Sequence, residues 1–140
     1  MNAWILTGVL ILGAFSFMLE AKQTQNQTES HGYTVIHADE LKSWYDQSKN
    51  MIVVDARSKQ YFDGTLLPNA IWLPPDAPAE EIEKVIPSKN ALVVVYCWSL
   101  ACPASKWLAD RLVAEGYTHI YKYPEGLQDW MQKGYPTTKK

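Results

Sequence analysis

ALVVVYCWSLACPASKWLADRL, residues 91–112, is the stretch from which the fold is read. Residues 91–96 are a continuous apolar run, which predicts a buried strand ending at Cys97. Residues 103–115 predict a helix. Pro103 suits its first turn, Trp107, Leu108, Arg111 and Leu112 recur at helical spacing, and Gly116 stops it. The loop between strand and helix holds both cysteines of the chain, Cys97 and Cys102.

The same alternation continues on either side. Toward the N-terminus, residues 33–36 predict a short strand, and Asp39 can cap a helix through Gln47 with Leu41, Trp44 and Tyr45 on one face. Residues 51–54 (MIVV) predict a buried strand ending at Asp55, and residues 70–73 (AIWL) another. Residues 77–86 carry a helical pattern that starts in a proline-rich turn. Toward the C-terminus, residues 118–123 predict a strand and residues 126–132 a last short helix, stopped by Gly134 and kept from resuming by Pro136. Apolar runs separated by helices imply an α/β chain with a mainly parallel sheet of about five strands, covered on both faces. In such sheets ligands bind beyond the C-terminal ends of the strands, which is where Asp55 and Cys97 fall.

A chain of 140 residues suggests a single domain. Its net charge is −2, from 13 basic and 15 acidic residues spread along the chain, and no basic stripe invites nucleic acid. Two cysteines are too few for a disulfide scaffold. His31, His37 and His119 show no ligand spacing and no second cysteine pair exists, so neither a metal nor a cofactor is expected.

Residues 3–19 (AWILTGVLILGAFSFML) carry no charge and would make ~26 Å of helix, near the short limit for a membrane span. Residues 1–21 are therefore expected to be a signal peptide or a membrane anchor. Residues 22–32 (KQTQNQTESHG) are too polar to order themselves and read as a flexible tether. The folded domain is placed at residues 33–138, exported, periplasmic or membrane-anchored, outside the cytoplasm and monomeric.

Cys97 has a physical reason to be an anion. A thiol at the start of a loop leading into a helix can face unpaired backbone N–H groups and the positive end of the helix dipole. That setting lowers a thiol's pKa, and the thiolate is the reactive form. The same N–H groups would hold a persulfide or the oxyanion of a sulfur-bearing substrate. The local pattern equally allows Cys97 to be a small buried residue that ends a strand. Cys102 is open to three readings: a resolving thiol, a disulfide partner, or a small residue lining the loop.

Two motifs resemble the rhodanese family. One is Val54-Asp55-Ala56-Arg57 followed by Tyr61-Phe62, Gly64, Pro68, Ala70 and Leu73-Pro74. The other is Val95-Tyr96-Cys97, then Ser105, Ala109, Leu112, Gly116-Tyr117, Tyr121, Gly126, Trp130 and Gly134-Tyr135-Pro136. The resemblance implies a single three-layer α/β/α domain and a ping-pong sulfurtransferase. In that reaction Cys97 takes sulfane sulfur from a donor such as thiosulfate or polysulfide and passes it to cyanide or a thiol. It further implies that Trp98, Ser99, Leu100, Ala101 and Cys102 form the anion-binding loop, with Asp55 and Arg57 in support. The expected partner is a small sulfur-containing anion or a protein thiol. This chain departs from the family pattern in three places. Thr65-Leu66-Leu67 stands where a His is usual, Asn69 replaces a Gly, and Glu125-Gly126 replaces Gly-Gly. The loop also lacks the usual Gly and Arg and resembles a subgroup reading C-x-x-x-x-C-P-x-S, with room for a bulkier donor or a protein thiol.

Other classes compete. Cys-loop phosphatases and arsenate reductases clamp their oxyanion with an Arg at the loop end. Here Cys102-Pro103-Ala104 stands in that place, and Arg111 is about two helical turns on. A dithiol/disulfide redox protein using Cys97 and Cys102 is a second class. A third is a non-catalytic binding module or sulfur carrier, with Trp98, Trp72 and Tyr123 on a contact patch. For Trp72, core or pocket wall is the better reading.

Overall fold

The computed structural model describes residues 32–140. The expected leader, and the tether up to residue 31, lie outside the described residues. Five parallel strands form the central sheet: β1 (Thr34–Val35), β2 (Ile52–Asp55), β4 (Ile71–Trp72), β5 (Leu92–Tyr96) and β6 (His119–Tyr123), in the spatial order β1-β6-β5-β2-β4. Helices α1 (Ala38–Asp46), α2 (Ala79–Val85), α3 (Ala104–Ala114) and α4 (Gly126–Gln132) connect or follow them.

The apolar run of β5 follows from its place. It is the middle strand, hydrogen-bonded to β2 on one edge and β6 on the other. Its side chains alternate between two cores, as the period of two demands. Val93, Val95 and Cys97 pack with Leu108 and Leu112 of α3 and Ile82 of α2. Val94 and Tyr96 pack with Leu41 and Trp44 of α1 and Leu127 and Trp130 of α4. Each fully buried aliphatic side chain contributes about 1.5–3 kcal/mol, so a strand that faces a core on both sides has no room for polar residues. On β2 the same parity sends Val54 and Ala56 toward α2 and α3, and Val53 toward α1 and α4.

Three expectations are corrected at the element ends. Asp39 does not cap α1; His37 holds the cap position and Asp39 lies in the first turn, where the helix dipole favours a carboxylate. Pro103 stands one residue before α3, at its cap. The strands at residues 33–36 and 70–73 shorten to two residues each, because their outer residues leave the register of the neighbouring strand. Gly116 does end α3, with φ of 90°, a left-handed turn that a side chain resists.

A second, antiparallel pair was not expected. β3 (Thr65–Leu66) pairs with β7 (Thr138–Lys139), tying the C-terminus to the segment after β2. Two-residue strands carry no periodicity, so only the fold brings them together. A single 3-10 turn, Lys59–Tyr61, precedes β3.

Candidate active site

β5 and α3 place the cysteine loop at the C-terminal edge of the sheet. Cys97 follows the last residue of β5 and is fully buried, facing α3. Cys97 and Cys102 are joined as a disulfide, their Cα atoms 6.3 Å apart. The loop closes on itself through the Cys102 N–H, which donates to the Ser99 carbonyl at 3.0 Å. Among the described residues, the N–H groups of Trp98, Ser99, Leu100 and Ala101 donate to no backbone carbonyl.

The start of α4 holds the loop from behind. Leu127 N–H donates to the Cys97 carbonyl at 3.0 Å, and Gln128 N–H to the Trp98 carbonyl at 2.9 Å. Gly126 makes this approach possible. Its φ is +68°, and a Cβ there would sit 2.9 Å from the Trp98 carbonyl carbon and closer still to the Cys97 carbonyl oxygen. The first α4 N–H groups, which no helix carbonyl can satisfy, are thus spent on the cysteine loop.

At the neighbouring strand end the groups are self-satisfied. Arg57 is 1% exposed and pairs with the buried Asp55, Nη2 to Oδ2 at 2.8 Å and Nε to both oxygens near 3 Å. Its remaining donors reach the Thr65 and Tyr61 carbonyls and Asp63. Burial alone would push the guanidinium toward neutrality, but the hydrogen bond and charge of Asp55 win, and its pKa ends up raised. Asp55 also hydrogen-bonds the Tyr96 hydroxyl; burial first, then this carboxylate, hold that phenol neutral well above its usual range. Asp55 and Tyr96 stand opposite each other in the β2–β5 register, so they share one sheet face and Cys97 projects from the other.

A cleft of about 930 Å³ opens between these two strand ends. Its walls come from the loop (Trp98, Ser99, Ala101, Cys102), the start of α3 (Pro103, Ala104, Trp107), the segment after β2 (Arg57, Ser58, Gln60, Tyr61, Asp63) and Pro75-Asp76. Arg57 is the one cation among these lining residues, and Asp55 and Asp63 already neutralise it. Exposed apolar side chains line the cleft: Tyr61 at 68% and Trp107 at 59%, with Trp98; Leu100, 74% exposed, stands in the same loop as Trp98 but does not line the cleft.

Of the residues expected at the site, Trp98, Ser99, Ala101, Cys102 and Arg57 line the cleft, and Cys97, Leu100 and Asp55 do not. Cys102, not Cys97, is the cysteine in the cleft wall. Arg57 lines the cleft but Asp55 lies beneath it. The contact patch expected at Trp98, Trp72 and Tyr123 does not form. Tyr123 is fully buried, its hydroxyl donating to Asp129 at 2.6 Å. Trp72 does not line the cleft; it is half-buried, stacked on Phe62 and donating Nε1–H to the Arg57 carbonyl at 2.7 Å. Arg111 cannot serve as an oxyanion clamp, since it holds the Pro75 and Ala77 carbonyls and Glu115. Sequence reasoning missed Trp107, Pro75 and Asp76 as cleft residues and Gly126 as the loop's seat. Only Gly126 carried a signal, as a glycine at the start of a predicted helix.

A family model described as Rhodanese-like domain matches residues 37–133. Among solved structures, a Bacillus halodurans protein is 22% identical with a TM-score of 0.68, covering 77% of each chain. A thiosulfate sulfurtransferase from Pseudomonas aeruginosa is 16% identical with a TM-score of 0.62, over 76% of this chain and 20% of its own. A rhodanese with anions from E. coli is 28% identical with a TM-score of 0.53, over 64% of this chain and 99% of its own. At their identities the first two establish likeness of fold alone.

Proposed function

The chain belongs to the rhodanese-like domain family, a sulfurtransferase family, and from that premise we propose that it moves sulfane sulfur through a persulfide on Cys97. The observation that carries this is the place of Cys97, at the turn from the central strand into α3, in a loop whose Trp98, Ser99, Leu100 and Ala101 N–H groups donate to no backbone carbonyl. Sulfur transfer starts from the reduced cysteine pair. Reduction frees the loop to turn the Cys97 sulfur from the core toward the cleft; the Cys97 thiolate then attacks the outer sulfur of the donor, the donor's S–S bond breaks, and its leaving group departs with the electron pair. Loop N–H groups stabilise both the thiolate and the persulfide anion. An acceptor thiolate then takes the outer sulfur and returns Cys97 to its starting form.

The cleft favours one class of donor. Thiosulfate is a dianion, and it would meet a neutralised Arg57 together with Asp63 and Asp76. A protein persulfide, with a single charge on its sulfur and apolar surface of its own to offer, suits the exposed Tyr61, Trp98 and Trp107 of the cleft better. Such a partner would be met outside the cytoplasm, where disulfides persist.

The Cys97–Cys102 bond favours a second reading, a dithiol/disulfide redox protein. One experiment separates the two. The full chain is reduced, freed of reductant, given polysulfide, and its intact mass taken alongside Cys97→Ser and Cys102→Ser. Sulfur transfer predicts an adduct of about 32 Da, one sulfur atom, that requires Cys97 and forms on Cys102→Ser. Loss of two hydrogens that needs both cysteines, with no sulfur adduct on Cys102→Ser, makes the redox reading the right one. No change with any donor leaves a binding module.

A further inference from the structure

The two halves of the disulfide differ in what they face. Cys97 is fully buried among Val95, Leu108 and the rest of the α3-side core, and it is absent from the cleft wall. Cys102 is partly exposed and forms part of that wall. Thiol–disulfide exchange goes to whichever sulfur an incoming thiolate can reach, and it is fastest when the other sulfur leaves as a stabilised anion. The first condition selects a direction here: Cys102 lines the cleft and Cys97 does not, so attack from the cleft falls on Cys102 and expels Cys97, at the start of a loop whose Trp98, Ser99, Leu100 and Ala101 N–H groups donate to no backbone carbonyl.

We propose that Cys102 is the resolving thiol of this site: it discharges the Cys97 persulfide as hydrosulfide and is the point at which an external dithiol restores the enzyme. This rests on the sulfur-transfer function proposed above. In the first step the Cys102 thiolate attacks the inner sulfur of the Cys97 persulfide. The bond between inner and outer sulfur breaks, and the outer sulfur leaves with the electron pair as hydrosulfide. The sulfane sulfur is reduced and the two cysteines are oxidised to the disulfide seen in the structure. In the second step one thiolate of a dithiol reductant attacks the Cys102 sulfur, and Cys97 leaves as a thiolate. The reductant's second thiol then displaces Cys102 and leaves as a disulfide, so two electrons and two protons have entered. The chain would therefore act between a reaction that supplies sulfane sulfur and one that supplies a dithiol, with hydrosulfide as product.

Two measurements test this. The full chain, reduced and freed of reductant, is given benzenethiosulfonate, a singly charged aromatic sulfane donor, while hydrosulfide and intact mass are followed. Wild type is expected to release hydrosulfide and end two hydrogens lighter. Cys102→Ser is expected to keep a one-sulfur adduct, with hydrosulfide release at least tenfold lower. If Cys102→Ser and wild type hold the adduct equally and no disulfide forms, the resolving role is wrong and sulfur transfer stands. If Cys102→Ser takes up no sulfur, sulfur transfer fails and the resolving role with it. In the second measurement, oxidised wild type is exposed briefly to glutathione, quenched in acid and mapped by peptide. Glutathione is expected on Cys102; finding it on Cys97 overturns the proposed direction whatever the sulfur donor.

Discussion

At the C-terminal edge of the sheet, β2 runs out into Asp55-Ala56-Arg57 and its neighbour β5 into Tyr96-Cys97-Trp98. The first ending is closed. Every charge in it is paired inside the protein, Asp55 with Arg57 and Tyr96, and Arg57 with carbonyls and Asp63 as well. The second is open. Its loop carries N–H groups without backbone partners and a disulfide with one of its cysteines, Cys102, in the cleft wall. Both lie at the edge where parallel sheets bind ligands, so position alone does not make a residue reactive. The closed ending is the rigid wall against which the open one can work.

Four predictions press on that contrast. The largest concerns the open ending. Cys97→Ser should lower sulfur transfer on the order of 10^4-fold or more, measured as turnover with polysulfide and a thiol acceptor, because it removes the sulfur on which the persulfide is proposed to form. Next comes the closed ending. Arg57→Ala strands the Asp55 carboxylate in a fully buried site, and its unfolding free energy in denaturant should fall by about 3–5 kcal/mol. A variant that keeps its stability but loses transfer would break the contrast, placing Arg57 on the substrate instead. Gly126→Ala probes the seam between the two. It forces a side chain into a left-handed conformation and against the Cys97 carbonyl, so it should cost at least ~1–2 kcal/mol and slow transfer through the displaced loop.

The smallest effect belongs to the rim. Asp63 is 58% exposed, and the Thr65 N–H, then Arg57, hold its carboxyl below the usual carboxylate range. Asp63→Asn should change stability by less than ~1 kcal/mol. The sign follows from the lowered pKa: the contribution is present above the unfolded carboxylate pKa of ~3.9 and is lost as pH falls toward the folded value. Denaturation curves of wild type and variant should therefore differ at neutral pH and converge in acid.

Much of this was legible in the residues. The run LVVVY could only be a strand buried on both faces, and glycine and proline punctuation placed α3 and α4 to within a residue or two. The family resemblance put Asp55 and Arg57 in support of the loop, and the fold pairs them with each other. The β3–β7 pairing was not legible, because two residues at each end of a long separation leave no pattern to detect. Tyr123 was misread as a surface aromatic because its side is set by strand parity against α4, a tertiary contact. Asp76 comes to the cleft from a segment far from Cys97 in the chain, and Trp107, in α3 just after the loop, shows only helical spacing, which does not tell that its side meets the cleft.

By itself, then, the sequence determined the order of strands and helices, the parallel sheet, and the loop that carries two cysteines. Hydrophobic periodicity and turn chemistry are local, so the chain states them directly. What the tertiary structure decided is which cysteine meets the outside. Both thiols sit in one short loop and look alike in sequence. The parity of β5 drives Cys97 into the core against α3, while Cys102, just before that helix, comes to rest in the cleft wall.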